Sequence, residues 1–214
     1  MVLSFCPLHH VKRKKALKNA HECDIIYLSV LFVSAKGVLS MKVLIVIDMQ
    51  NDFTVGVLGN PQTAAVTEKV VRAIEDFRSK EKDGQIIATL DTHYENYMET
   101  QEGKNLPVPH CIKGSDGWKL VPEVDKALGE DCLRLEKKTF GAIDLPEKIA
   151  DGAEEFIIMG VCTDICVISN AMILKAAFPE IPVRVISDCC AGVTPESHNN
   201  ALAAMKMCQM EIVG

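Results

Sequence analysis

Three residues of this 214-residue chain have side chains suited to nucleophilic chemistry if brought together, and each follows a short apolar stretch. Asp48 follows VLIVI, Lys137 follows LRLE, and Cys166 stands five residues beyond FIIMGV. The thiolate is the reactive form of cysteine, and forming it requires a proton acceptor. Asp48 can accept that proton, and Lys137 can keep the carboxylate ionised. Cys166 is expected in the first turn of a helix capped by Thr163, where free amides and the positive helix end favour the thiolate. A small buried thiol without chemistry fits the same residue types, as it does for most free cysteines. At this level both readings stand.

Such side chains converge only if the apolar stretches are neighbouring parallel strands. Strands are expected at 43–47, 86–90, 133–135, 156–161, 183–186 and 210–213. Helices are expected over about 62–80, near 144–150, from about 164 and from about 195, with a long loop after the second strand. Val66, Val70, Ala73, Ile74 and Phe77 form one apolar stripe, and Thr194-Pro195 supplies a cap and a first-turn proline. The alternation predicts an α/β fold: a three-layer α/β/α sandwich around a six-stranded, mostly parallel sheet. The first, second and fourth strands are apolar nearly throughout, whereas the third and sixth carry charges between apolar residues. Strand order 3-2-1-4-5-6 puts those two at the edges, and ligands bind beyond the strand ends where the order reverses. Asp48, Asp91-Thr92-His93, Lys137 and Cys162–Cys166 all fall there.

Composition narrows the class. Hydrophobic residues make up 48% and charged ones 24%, which excludes disorder, collagen and coiled coil. The net charge of −6 argues against a nucleic-acid binder that relies on a basic surface. Residues 1–40 hold six Lys/Arg and two Asp/Glu, a surplus of four positives that leaves −10 on residues 41–214. Nine cysteines, an odd number without repeated spacing, predict a reducing, cytoplasmic compartment. The basic cluster at 12–15 and the apolar run at 25–35 precede the regular pattern. The run is too short to span a bilayer, which takes roughly 20 residues. Residues 1–40 are read as an extension outside the fold, with Met41 as the natural start. A structured accessory segment and a targeting signal are the alternatives. Residues 41–214 are read as one domain.

The ordered stretches VLIVIDMQNDF at 43–53, LDTHYENY at 90–97, PHCIKGSDGW at 109–118, EKKTFGA at 136–142 and MGVCTDICV at 159–167 closely resemble the isochorismatase-like cysteine hydrolases of nicotinamidase type. The resemblance implies Asp48 as catalytic aspartate, Lys137 as lysine and Cys166 as nucleophile. Lys137 is preferred over Lys138 because the family lysine stands three residues before an aromatic, here Phe140. It also implies a cis bond before Cys162 and an oxyanion hole made by the amides of Cys162 and Cys166. Phe53 and Val161 are the expected substrate contacts.

Nicotinamidases bind a divalent cation through an Asp-x-His pair, a further His or Glu and a later His. Asp91, His93, Glu102 and His110 fall at comparable spacings, although Glu95 and Glu99 share the loop with Glu102. Two nitrogens and two carboxylates suit zinc, with iron or manganese as alternatives. His93 and His110 as plain polar loop residues are the competing reading. Several nicotinamidases have an aromatic shortly before the last histidine, where this chain has Leu106-Pro107-Val108-Pro109. The implied activity is hydrolysis of a small carboxamide, nicotinamide first, through a thioester. A carbamoyl, ureido or isochorismate-like substrate is the alternative. A thiol redox or binding protein using Cys162, Cys166 and Cys189-Cys190 is the reading from another class. The expected partners are the small-molecule amide and further copies of the chain in a homo-oligomer, with neither nucleic acid nor membrane. His198 is expected on a surface helix, and Cys189-Cys190 are expected to pack at the end of the fifth strand.

Overall fold

The computed structural model describes residues 40–214. The readings of residues 1–40 as extension, accessory segment or targeting signal therefore lie outside the described residues, except at Ser40. Six strands form one sheet: β1 (Met41–Ile47), β2 (Gln85–Asp91), β3 (Leu133–Lys137), β4 (Ala153–Val161), β5 (Val183–Ala191) and β6 (Glu211–Val213). Their order is β3-β2-β1-β4-β5-β6, and every neighbouring pair is parallel. Val43–Ile47 is fully buried because β1 lies at the sheet centre, covered on both faces. Each such side chain contributes about 1.5–3 kcal/mol by leaving water. On β3, by contrast, Leu133, Arg134 and Glu136 are exposed, as an edge strand allows.

The chain steps one way from β1 to β3 and the other way from β4 to β6. Right-handed crossovers therefore put helices on both faces. α1 (Asn51–Thr54) follows β1 directly, and α2 (Pro61–Ala65) leads into α3 (Thr67–Lys80). α3 packs beside α5 (Pro122–Leu128) on one face, while α6 (Ile168–Ala177) and α7 (Pro195–Met207) pack together on the other. The helix expected over 62–80 is divided at Val66, and its start is fixed by Pro61 and a capping box between Asn60 and Thr63. Val66, Val70, Ile74 and Phe77 are buried along the expected stripe. The Thr194 cap and Pro195 start α7 as anticipated.

Two expectations change. The long loop after β2 contains α4 (Gln101–Asn105) and α5, both too short to show a full apolar period. The helix expected near 144–150 is one 3₁₀ turn, Leu145–Lys148, with Pro146 inside it. At the centre, Gly160 has φ +124°, and a Cβ there would lie 2.1 Å from the Ile47 carbonyl oxygen. Only glycine permits that approach of β4 to β1, at the point where the strand order reverses. Among the described residues, no helix is long and apolar enough to cross a membrane.

Candidate active site

The chain leaves β1 through Asp48, whose φ of +47° is uncommon for a residue with a side chain. Its N–H donates to the Thr89 carbonyl at 3.2 Å, and its Oδ1 accepts from Thr89 Oγ1 at 2.7 Å. Thr89 is the β2 register partner of Ile47, so pairing of β1 with β2 places both groups. Asp48 Oδ2 lies 2.7 Å from Lys137 Nζ, with no aligned hydrogen bond of its own. Two residues on, Gln50 donates to the Asp91 carbonyl at 2.9 Å and accepts from the Asp91 N–H at 2.8 Å. That side chain ties the end of β2 to the segment after β1.

Lys137 is the last residue of β3, and its ammonium sits between two carboxylates. It lies 2.7 Å from Asp48 Oδ2, 3.0 Å from Asp91 Oδ1 and 3.5 Å from Cys166 Sγ. Burial opposes its charge, yet Asp48, the Cys166 sulfur and Asp91 outweigh burial and lift its pKa well above the ordinary lysine value. Burial also raises the Asp48 carboxyl, against the pull of Lys137. The result is a carboxylate that takes a proton more readily than an exposed aspartate and can return it.

Cys166 sits in the turn that follows β4, and this turn differs from the expected one. Thr163–Val167 is π-helical and begins at Cys162, with no side-chain cap. The Thr163 hydroxyl is instead 2.8 Å from His198 Nδ1, so Thr163 is buried under α7 and does not cap. His198 lies on the expected helix, half-buried against this turn rather than on the open surface. The Val161–Cys162 bond is cis. Burial pushes the Cys166 thiol well above its ordinary range; Lys137 opposes this, and Asp48 and Asp91 add to it. Burial thus outweighs the lysine and favours the protonated thiol.

Asp91, His93, Glu102 and His110 come together on the next wall, their ligand atoms all within 4.8 Å of one another. His93 Nε2 stands 2.9 Å from Asp91 Oδ2 and 3.5 Å from Glu102 Oε1. His110 Nε2 stands 3.6 Å and 3.7 Å from the same two oxygens. His110 Nδ1 is 2.8 Å from the Val108 carbonyl, which only accepts, so Nδ1 carries the proton and the lone pair of the neutral ring is on Nε2. Buried His93 Nε2 has no aligned hydrogen bond. Burial disfavours a charged His93, but Asp91 and Glu102 overcome this and raise its pKa to about 9. Two ring nitrogens and two carboxylates converging on one point fit a divalent cation. Glu102, rather than Glu95 or Glu99, completes the set because α4 turns it inward.

A cavity of about 260 Å³ opens onto both groups, with Cys162, Cys166, Asp91, Glu102 and His110 in its lining. That is the small end of ligand sites and suits a single-ring molecule. Phe53 lines it, 5.5 Å from the His110 ring. Val161 is not in its lining; the side chain is buried in the core at the end of β4. Leu106, Phe140, Ile165 and Val193 supply further apolar wall. Leu106, in the segment just before His110, and Phe140, three residues beyond Lys137, both carried a signal in the sequence. Ile165 and Val193 carried none. Cys189 and Cys190 are buried at the end of β5, as read.

The family model for the isochorismatase domain matches residues 42–213. The nicotinamidase/pyrazinamidase of Mycobacterium tuberculosis is 28% identical over 191 residues, which span 81% of this chain and 98% of that protein. The nicotinamidase of Escherichia coli is 28% identical over 196 residues, 78% of this chain and 90% of that one. Among solved structures, the pyrazinamidase of Pyrococcus horikoshii in complex with zinc superposes with a TM-score of 0.69 at 30% identity, covering 80% of this chain and 98% of that one.

Proposed function

The chain belongs to the isochorismatase family, and from that premise we propose that it is a cysteine-dependent amidohydrolase releasing ammonia from a small carboxamide, with nicotinamide giving nicotinate. One observation carries the reading: Lys137 Nζ bridges Asp48 Oδ2 at 2.7 Å and Cys166 Sγ at 3.5 Å, and Cys166 lines a cavity of about 260 Å³. The proteins it is similar to are named for hydrolysis of ring carboxamides.

Asp48 takes the thiol proton as Cys166 Sγ attacks the carboxamide carbon. The developing oxyanion is received by the amides of Cys162 and Cys166, both of which line the cavity. Lys137 steadies the sulfur and the carboxylate while charge moves between them. Asp48 returns its proton to the amide nitrogen, the C–N bond breaks, and ammonia leaves a thioester. Water then attacks the thioester with Asp48 as base, the C–S bond breaks, and the proton goes back to sulfur. Phe53 and Leu106 flank the substrate ring. Asp91, His93, Glu102 and His110 would hold a divalent ion, zinc by its donor set. When bound it supplies a Lewis-acidic point that anchors a basic atom of the substrate. The cysteines among the described residues are all free, which supports a reducing, cytoplasmic setting.

Ammonia release from nicotinamide, pyrazinamide and a carbamoyl compound tests the reading directly. Nicotinamide is expected to be hydrolysed by the wild type, and Cys166→Ala is expected to abolish this while Cys189→Ala and Cys208→Ala retain most of it. Full activity in Cys166→Ala overturns the mechanism. Hydrolysis of the carbamoyl compound alone replaces the substrate, and no ammonia from any amide leaves the redox reading.

A further inference from the structure

We propose that Asn170 is a positioning residue that docks the segment 140–142 onto the nucleophile turn and so sets the distance between the Phe140 wall and Cys166. The inference rests on the reading of Cys166 as nucleophile and of the adjoining cavity as the substrate's.

Asn170 lies on α6, four residues beyond Cys166, and is completely buried. Its Nδ2 donates to the Cys166 carbonyl at 2.8 Å and to the Phe140 carbonyl at 3.1 Å. Its Oδ1 accepts from the Ala142 N–H at 2.9 Å. Both amide hydrogens and the oxygen are thus engaged. The orientation is unique, since a flipped amide would face two carbonyls with its oxygen and an N–H with its nitrogen. One side chain therefore joins the backbone of the nucleophile to the backbone on either side of Gly141. A second feature points the same way. A Cβ on Gly141 would lie 2.6 Å from Ile173 Cδ1 and 3.4 Å from Ser169 Cβ, so the segment lies directly against α6.

The docked segment follows β3, which ends in Lys137, and it carries a side chain that meets the ligand. Phe140 lines the cavity while 44% exposed, so neighbouring side chains hold it on one side only. Its position is set by its backbone, and the backbone is set by Asn170. Freed from that contact, Phe140 moves away from the cavity and a flat ring loses one wall, while Cys166 keeps its own surroundings of Lys137 and Asp48.

Asn170→Thr separates these roles. A threonine hydroxyl on a helix can donate to the carbonyl four residues back, here that of Cys166, but it does not reach Phe140 and Ala142 together. The measurement is the alkylation rate of Cys166 by iodoacetamide and by its N-benzyl derivative, beside kcat and KM for nicotinamide. In Asn170→Thr the iodoacetamide rate is expected to stay within about twofold of wild type. The preference for the benzyl reagent should fall about tenfold, as should 1/KM, with kcat little changed. Asn170→Ser, which keeps a hydroxyl for the Cys166 carbonyl but likewise cannot reach Phe140 and Ala142, should shift the reagent preference in the same direction. It also serves if the threonine variant does not fold. An unchanged preference in the folded variant overturns the proposal. So does an equal fall of both alkylation rates, which would make Asn170 a support of the turn alone. The alkylation ratio needs no amide turnover, so a wild type that hydrolyses no amide would refute the amidohydrolase reading and leave this test standing.

Discussion

Asp91 and Lys137 are register partners on β2 and β3, and their side chains meet at 3.0 Å with Asp91 Oδ1 toward the ammonium and Oδ2 toward the two histidines. One carboxylate thus faces the nucleophile's lysine with one oxygen and the candidate cation site with the other. Burial opposes the charge on Asp91, but His110, His93 and Lys137 hold its carboxyl far below the usual carboxylate range. Asp48, on the other side of the same lysine, is raised instead, because burial dominates there. Two aspartates flanking one ammonium therefore divide the work. In the proposed mechanism Asp91 stays charged and Asp48 exchanges the proton.

That division predicts the acid limb of the pH profile. Asp48 must be ionised to accept the thiol proton, and its carboxyl is raised from the ordinary 3.8. Activity should therefore fall, as pH drops, at a higher pH than for an exposed aspartate. Removing the lysine that lowers Asp48 should move the limb higher still. The pH dependence of kcat/KM in wild type and in Lys137→Met checks both statements, and Asp48→Asn should have no measurable limb because turnover is lost. Lys137→Met also leaves two buried carboxylates without their counter-charge, a change that typically costs about 3–5 kcal/mol of stability. A limb at or below 3.8 in the wild type would remove Asp48 from the role of base.

Gly160→Ala should prevent folding of the domain. The substitution adds a Cβ at φ +124°, 2.1 Å from a backbone oxygen on the central strand, and no side-chain movement relieves that. The strained backbone alone costs on the order of 1–3 kcal/mol, and separating β4 from β1 adds to it. Thermal unfolding followed by circular dichroism gives the answer. A soluble variant melting within a few degrees of wild type would show that the two strands are not so closely held.

A chain beginning at Met41 should match the full chain in melting temperature and turnover. The charge balance and the apolar pattern both change there, β1 begins there, and the family model begins at residue 42. Calorimetry and ammonia release on the two chains provide the comparison. A loss of several degrees in the shorter one, about 1–2 kcal/mol at this size, would show that the preceding residues stabilise the domain.

The sheet was legible because burial writes itself into composition. Strands covered on both faces must be apolar throughout, and edge strands tolerate Arg134, Glu136 and Glu211. The strand ends then located Asp48, Asp91, Lys137 and Cys166 without any coordinates. What stayed hidden depends on pairs distant in sequence. Thr163 reads as a cap by type, but His198, 35 residues away, takes its hydroxyl. Cys166 reads as a lowered thiol at a helix end, but burial contributed by other elements reverses the shift. Val161 reads as a neighbour of the substrate, but a strand residue on the core face cannot also face the cavity. Asn170 resembles any polar residue in a helix until the segment at 140–142 lies against it.

The metal and the substrate are best tested together. If Asp91, His93, Glu102 and His110 form one site, purified protein should carry about one divalent ion per chain, since four ligands fill most of a coordination shell. His93→Ala removes the buried nitrogen that has no aligned hydrogen bond, and elemental analysis should find the ion lost. Cys166 should remain open to alkylation by a small reagent in that variant, because Lys137 and Asp48, its nearest charged neighbours, are untouched. Nicotinamide turnover should suffer mainly through a raised KM, with a smaller change in kcat, as expected when a group that anchors the substrate is lost. A wild type without metal, whose nicotinamide hydrolysis ignores chelators, would overturn the metal assignment. A wild type that carries metal yet leaves nicotinamide intact would point to the wall of this cavity. Leu106 lines the cavity as an aliphatic wall, and a substrate that is not a flat ring would then be the one to seek.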